Sequence, residues 1–129
     1  MPSRHSTAEM CVSCGVREDI PGEVRRELES IGGLEGLCAR LPPPEQLYQV
    51  SRVHHALSDP IRLKILCLLR VQPLCVCVIK HCVGIADSKL SYHLNVLKEC
   101  GLIEGRQEKN WIIYCLTEDG RSWLERSSG

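Results

Sequence analysis

Residues 87–101 read DSKLSYHLNVLKECG, which is the clearest helical pattern in the chain. Leu90, Leu94 and Leu97 recur at steps of four and three residues, which places them along one side of a helix. Gly101 follows the last periodic turn and favours a left-handed stop there. The segment therefore predicts a helix over residues 87–99 with one buried apolar side and one exposed polar side.

Upstream, the pair Asp59-Pro60 predicts another helix start. An aspartate can cap the free amides, and a proline at the first helical position loses no hydrogen bond. This helix is expected to run to about Arg70, and a short helix over residues 75–83 then ends at Gly84. The helix over residues 75–83 and the helix over residues 87–99 therefore form a consecutive pair.

Downstream, residues 102–107 and 111–116 have the composition of two strands, with Glu108-Lys109-Asn110 as the turn between them. Residues 117–126 predict a closing helix, and residues 45–57 predict a helix ahead of Asp59. The order of helices, helix pair, hairpin and last helix is typical of a winged helix-turn-helix. The predicted fold class is mainly α with a β-hairpin.

The N-terminal part has a different character. Residues 1–22 have little periodicity and contain Cys11-x-x-Cys14, a chelating spacing, so we expect a loose arm. Residues 23–41 show helical spacing that Gly32-Gly33 weakens, and three prolines at 42–44 end it. We predict an N-terminal cysteine-containing arm and helix over residues 1–44 and a DNA-binding-type winged domain over residues 45–129.

Charge and cysteine content narrow the class of protein. Net charge is zero, but residues 1–45 carry five Arg against eight Asp/Glu, whereas residues 46–129 carry eleven Lys/Arg against eight acids. The chain has nine cysteines, an odd number that favours free thiols in a reducing cytosol over paired disulfides. No apolar run approaches the roughly 20 residues that span a bilayer. We therefore expect a cytoplasmic protein with no membrane partner.

Five segments together resemble the ArsR/SmtB family of metal- and metalloid-responsive repressors. The resemblance covers roughly residues 45–124, and the combination is more specific than any one part. The segments are Ala56-Leu57-Ser58-Asp59-Pro60-Ile61-Arg62-Leu63-Lys64-Ile65-Leu66, Leu74-Cys75-Val76-Cys77, Leu90-Ser91-Tyr92-His93-Leu94, Cys100-Gly101-Leu102-Ile103 and Trp111-Ile112-Ile113-Tyr114.

The resemblance implies a cytosolic homodimer that binds operator DNA and releases it when an inducer binds. In the family, the Leu-Cys-Val-Cys motif carries thiolate ligands for arsenite, or for cadmium, lead and zinc. Two departures leave the ion open: Val78 stands where the family usually has an acid, and a third cysteine is displaced to Cys82. The expected inducer is a thiophilic metal or metalloid ion, and no enzymatic activity is expected.

Helix geometry limits which thiols can share an ion. Cys75 and Cys77 point to opposite sides of an ideal helix, so they converge only if Cys75 lies in an irregular lead-in after Pro73. Cys82 is separated from Cys75 by about 10 Å of helical rise. Cadmium and lead sensors that this chain resembles add cysteines from an N-terminal arm. The preferred ligand set is therefore Cys11, Cys14, Cys75 and Cys77, with the participation of Cys38 and Cys82 left open.

The winged-helix resemblance places residues 87–99 in the DNA major groove. With the leucines buried, polar side chains of this helix are free for DNA, and two basic residues flank the tip of the hairpin near phosphate. His93 is included in the set, with packing or capping as its alternative role. The predicted DNA-binding residues are Ser88, Lys89, Ser91, Tyr92, His93, Asn95, Arg106 and Lys109.

Three other functions compete with an ion-responsive repressor. The first is a thiol-redox-sensing repressor on the same scaffold, in which Cys11/Cys14 or Cys75/Cys77 oxidise. The second is a thiol oxidoreductase using Cys11-x-x-Cys14, although this motif lacks the strand-helix context of such enzymes. The third is an interaction module with no operator.

Overall fold

The computed structural model describes residues 20–128. Its helices and strands, in chain order, are α1 (Gly22–Ser30), α2 (Gly33–Cys38), α3 (Pro44–Leu57), α4 (Pro60–Val71), β1 (Leu74–Cys75), α5 (Val76–Val83), α6 (Asp87–Glu99), β2 (Ile103–Glu108), β3 (Trp111–Leu116) and α7 (Glu118–Ser128). The predicted class, mainly α with a β-hairpin, is confirmed. No helix in this range is long and apolar enough to cross a membrane.

The chain divides into two compact units, and the boundary between them in the sequence follows Leu47. In the first unit, α1 and α2 replace the single helix predicted over residues 23–41. The break lies at Gly32, whose φ of 101° is in the left-handed region that favours glycine. The helix predicted over residues 23–41, which Gly32-Gly33 was expected to weaken or kink, is therefore interrupted there and forms two helices.

In the second unit, the helix start predicted at Asp59-Pro60 is confirmed. The Asp59 carboxylate accepts hydrogen bonds from the amides of Ile61 at 2.8 Å and Arg62 at 3.3 Å. Partial burial raises the pKa of Asp59, but these two amides and the nearby Arg62 guanidinium outweigh that effect and leave the pKa below its ordinary value. The cap therefore holds a carboxylate, and α4 starts at a defined residue.

One apolar core joins the helices and the sheet of the second unit. Leu90, Leu94 and Leu97 lie in it, as their spacing predicted. Gly101 ends α6 with a φ of 77°, which is the predicted left-handed stop. The buried members of the core are Val53, Ala56, Leu57, Ile65, Leu66, Leu69, Ile79, Leu90, Leu94, Leu97, Leu102, Ile103, Tyr114 and Leu124.

The sheet has three antiparallel strands in the order β1-β3-β2. Glu108 pairs with Trp111, so the hairpin loop has two residues and not the three predicted, and Lys109 adopts a φ of 56°. The strand β1 was not predicted. It pairs Leu74 with Tyr114 and thereby joins the segment before α5 to the hairpin.

Candidate functional site

The two thiols of the Cys-Val-Cys motif lie against each other. Cys75 is the N-cap of α5, with extended backbone angles (φ −81°, ψ 162°), and Cys77 is in the first turn of the helix. The two Sγ atoms are 3.1 Å apart. The convergence that required Cys75 to precede the regular helix is therefore present, because the extended cap residue directs its side chain back toward the first turn.

The contact between the two sulfurs shifts the pKa values of the two thiols in opposite directions. A hydrogen bond from Cys77 lowers the pKa of the Cys75 thiol, and the same bond raises the pKa of the Cys77 thiol. The first ionisation of the pair is therefore easier than the second. A thiolate is the form that binds soft metal ions.

The other sulfurs do not join this pair in the described part of the chain. The free thiols of residues 20–128 are Cys67, Cys75, Cys77, Cys82, Cys100 and Cys115. Among the same residues, no three His, Cys, Asp or Glu side chains gather as an ion site. Cys38 is buried in the first unit and is not one of the free thiols. The predicted ligands Cys11 and Cys14 lie outside the described residues.

Helix α6 carries a polar face opposite its buried leucines. The predicted DNA-binding side chains that are exposed along it are Ser88, Lys89, Ser91, Tyr92 and Asn95. Tyr92 is 56% exposed although it is aromatic. Such a face offers hydroxyl, amide and ammonium groups, which are the groups that contact bases and phosphates in DNA grooves.

The position of His93 contradicts the prediction that it contacts DNA. Its side chain is only 7% exposed, and its Nδ1 lies 3.0 Å from the Nη1 of Arg62, which is 3% exposed. A guanidinium can only donate, so Nδ1 accepts this bond and the ring proton is on Nε2. His93 therefore packs inside the domain, which was its alternative role.

Arg62 is a structural residue that the motifs did not reveal. Its Nε donates to the carbonyl of Ala56 at 2.9 Å, and its Nη2 donates to the carbonyl of His55 at 3.2 Å. With the bond to His93, one buried guanidinium ties the end of α3 and the start of α4 to α6. His93 lies at helical spacing with Leu90, Leu94 and Leu97, which is the pattern of a buried helix face. This spacing was the feature of the sequence that could have predicted its burial.

Two charged contacts lie near the predicted DNA-binding surface. Lys80 of α5 pairs with Asp87, the first residue of α6, at 2.7 Å. On β2, the exposed Arg106 contacts Glu108 at 3.3 Å and donates to the Sγ of Cys115 at 3.6 Å. Arg106 and Lys109 thus lie on the hairpin where they were predicted, and both are exposed.

Comparison with known proteins identifies the scaffold. The family of bacterial regulatory proteins described as arsR family matches residues 59–104, from the cap of α4 into β2. An HTH-type transcriptional regulator of Methanocaldococcus jannaschii is 34% identical over 76 residues, which are 58% of this chain and 85% of that protein. A cadmium resistance transcriptional regulatory protein CadC homolog of Staphylococcus aureus is 28% identical over 114 residues, or 88% and 83% of the two chains.

A solved structure agrees with these relatives. The homodimeric winged helix-turn-helix DNA-binding domain of a possible ArsR-family transcriptional regulator from Mycobacterium bovis is 33% identical, with a TM-score of 0.62. The match covers 65% of this chain and 79% of that domain. These proteins are transcriptional regulators with a DNA-binding fold and not enzymes. The chain belongs to the ArsR/SmtB family of transcriptional repressors.

Proposed function

We propose that this chain is a repressor that leaves its operator when a thiophilic ion binds the Cys75–Cys77 pair. The observation that carries the proposal is the 3.1 Å separation of the two Sγ atoms at the start of α5. A zinc-sized ion with bonds of about 2.3 Å to each sulfur holds two thiolates about 3.8 Å apart in a tetrahedral site. The two sulfurs must therefore move apart by about 0.7 Å to hold such an ion.

Two thiolates alone leave the coordination of such an ion incomplete. Three sulfurs suit trivalent arsenic, and four suit a soft divalent ion. We propose that Cys11 and Cys14 supply the remaining sulfurs, because their spacing allows both to reach one ion. Arsenite, cadmium, lead and zinc are therefore the candidate inducers, and an arm from either protomer could complete the site.

For DNA binding, we propose a homodimer that places one α6 in each half-site of the operator. The proposed contacts of α6 are the exposed Ser88, Lys89, Ser91, Tyr92 and Asn95. Arg106 and Lys109 of the hairpin are proposed to contact phosphate. Residues 46–129 carry only three more cations than acids, so two protomers are needed for a substantial positive field.

Induction then follows from linkage between the two sites. The ion must favour a shape of the protein that binds DNA poorly, and DNA must weaken ion binding by the same factor. A nearly complete switch requires about 5.5 kcal/mol of difference between the two shapes. The expected setting is the cytosol, where the thiols stay reduced.

The test uses the full chain, reduced, with a duplex that the protein selects from random sequence. Fluorescence anisotropy measures affinity for the duplex with and without arsenite, cadmium, lead or zinc. At least one ion should raise Kd tenfold or more, and Cys75→Ser and Cys11→Ser should abolish this effect. Cys67→Ser is the matched control, because Cys67 is an exposed free thiol outside the proposed site.

A thiol-redox repressor is the second candidate, and the same close sulfur pair favours it. Under this alternative, the reduced protein would keep its affinity for the duplex with every ion and lose it only with an oxidant such as diamide. Sulfur-to-metal charge-transfer absorption that saturates at a fixed ratio of ion to protein would instead support the ion-responsive function. A reduced protein whose affinity no ion changes would refute that function.

A further inference from the structure

The strand β1 brings the thiol pair into the same sheet as the hairpin. Cys75 is paired with Ile113 of β3, and Ile113 is paired on its other side with Arg106 of β2. These residues form one row across the sheet. Since neighbouring strands lie about 4.8 Å apart, the backbones of Cys75 and Arg106 are separated by about 10 Å.

This row lies on the outer face of the sheet. The adjacent row consists of Leu74, Tyr114 and Gly105, and Tyr114 is buried in the core. Because successive residues of a strand point to opposite faces, the row of Cys75 points away from the core. The side chain of Arg106 extends along this outer face to Cys115 on β3.

The hairpin has little room to absorb a movement of β3. A Cβ atom placed on Gly105 would lie 3.1 Å from the Cε1 of Tyr114 and 3.3 Å from the Cγ2 of Ile112. A side chain at this position would therefore be crowded, because the side chains of Tyr114 and Ile112 cover the backbone of β2 at Gly105. The six residues of each strand are also paired along their whole length. A displacement of β3 therefore carries β2 with it.

We infer that the β2–β3 hairpin is the element through which an ion at the Cys75–Cys77 pair weakens DNA binding. Cys75 is both the cap of α5 and the last residue of β1, so seating an ion between the two sulfurs displaces β1. The ladder passes this displacement through Ile113 to Arg106, which loses its phosphate contact. The inference rests on the proposed function, and the alternative route is a displacement of α6.

Besides the shared apolar core, the alternative route through α6 has one polar contact among the described residues, and it is made by side chains. Lys80 and Asp87 connect α5 to α6, but the two side chains are 46% and 81% exposed. Exposed ion pairs contribute roughly 0–1 kcal/mol and are screened by salt. The backbone hydrogen bonds of the sheet do not depend on an exposed ion pair. This difference favours the hairpin as the element that changes DNA binding.

The experiment compares the effect of cadmium on three proteins: wild type, Arg106→Gln and Lys89→Gln. The full reduced chains are titrated with the selected duplex with and without cadmium, and the ratio of the two Kd values is recorded for each. Both substitutions should weaken binding without cadmium. Arg106→Gln should reduce the cadmium ratio at least fivefold, because its contact is already absent, whereas Lys89→Gln should keep the wild-type ratio.

The opposite pattern, a reduced ratio for Lys89→Gln and an unchanged ratio for Arg106→Gln, would overturn the inference and assign the output to α6. Failure of the proposed function is distinguishable, because then the Kd of the wild type changes with none of cadmium, arsenite, lead and zinc; if one of the other three acts instead of cadmium, that ion replaces cadmium in the comparison. If Arg106→Gln binds too weakly to titrate, amide hydrogen exchange of the free wild type decides. Cadmium should change exchange in β3 more than in α6, and the reverse would reject the hairpin route.

Discussion

Replacing Arg62 with methionine tests whether the buried guanidinium holds the domain together. Arg62 is 3% exposed and makes bonds of 2.9, 3.2 and 3.0 Å to two carbonyl oxygens and to the Nδ1 of His93. Methionine keeps most of the aliphatic volume but donates no hydrogen bond. The substitution therefore leaves the Ala56 carbonyl and the Nδ1 of His93 unpaired, whereas the His55 carbonyl still accepts from the amide and the Oγ of Ser58.

The magnitude follows from these two acceptors. An unsatisfied buried acceptor costs about 1–3 kcal/mol, and removal of the buried charge offsets part of the total. We expect Arg62→Met to lower the free energy of unfolding by about 3 kcal/mol. Because a domain of this size has roughly 5–15 kcal/mol of stability, the loss is a large fraction of the total.

Urea denaturation followed by circular dichroism of the reduced full chain measures this loss. The control is Arg70→Met, which removes an exposed arginine from the same helix and should change stability by less than about 0.5 kcal/mol. A second variant, His93→Leu, should give a coupling energy of at least about 1 kcal/mol with Arg62→Met in a double-mutant cycle. Equal stability of Arg62→Met and Arg70→Met would refute the reasoning.

Three further predictions concern the cap of α4, the first turn of α7 and a half-buried thiol. Asp59→Ala should lower the free energy of unfolding by about 1 kcal/mol at neutral pH. Since the pKa of Asp59 is lowered in the folded protein, the difference between the variant and the wild type should shrink as the pH falls through that pKa. A difference that stays constant down to acid pH would contradict this prediction. Gly120→Ala should cost at least about 2 kcal/mol in urea denaturation, because the new Cβ would collide with the carbonyl oxygen of Leu102. Burial raises the pKa of Cys100, so iodoacetamide should alkylate it more slowly than the exposed Cys67 at neutral pH, as peptide mass spectrometry can measure.

Local signals located the helices that carry the proposed DNA contacts. The bounds of α6 match the predicted residues 87–99, because leucine spacing and Gly101 both act within the helix itself. The capped start of α4 was predicted for the same reason. The same spacing included His93, but its polar character suggested a surface role, and only the three-dimensional position of Arg62 shows its partner.

Contacts between distant parts of the chain were harder to predict. The strand β1 has two residues and no alternating pattern, so its existence depends on Tyr114 and Ile113 nearly 40 positions away. The sequence did predict that Cys75 had to leave the regular helix for the two thiols to meet. It could not show that a strand would hold Cys75 in that conformation, because strand pairing is not a local property.

The small size of β1 suits a switch. Only two residue pairs connect it to β3, and each net backbone hydrogen bond contributes about 1 kcal/mol. Its displacement is therefore within the 1–3 kcal/mol that typically couples two sites. A longer strand would resist the ion, and an unpaired segment would not transmit its binding. Under the proposed mechanism, an ion at Cys75, which ends this strand and caps α5, would act where the sheet is weakest, and the fully paired β2 and β3 would move together and carry the change to Arg106.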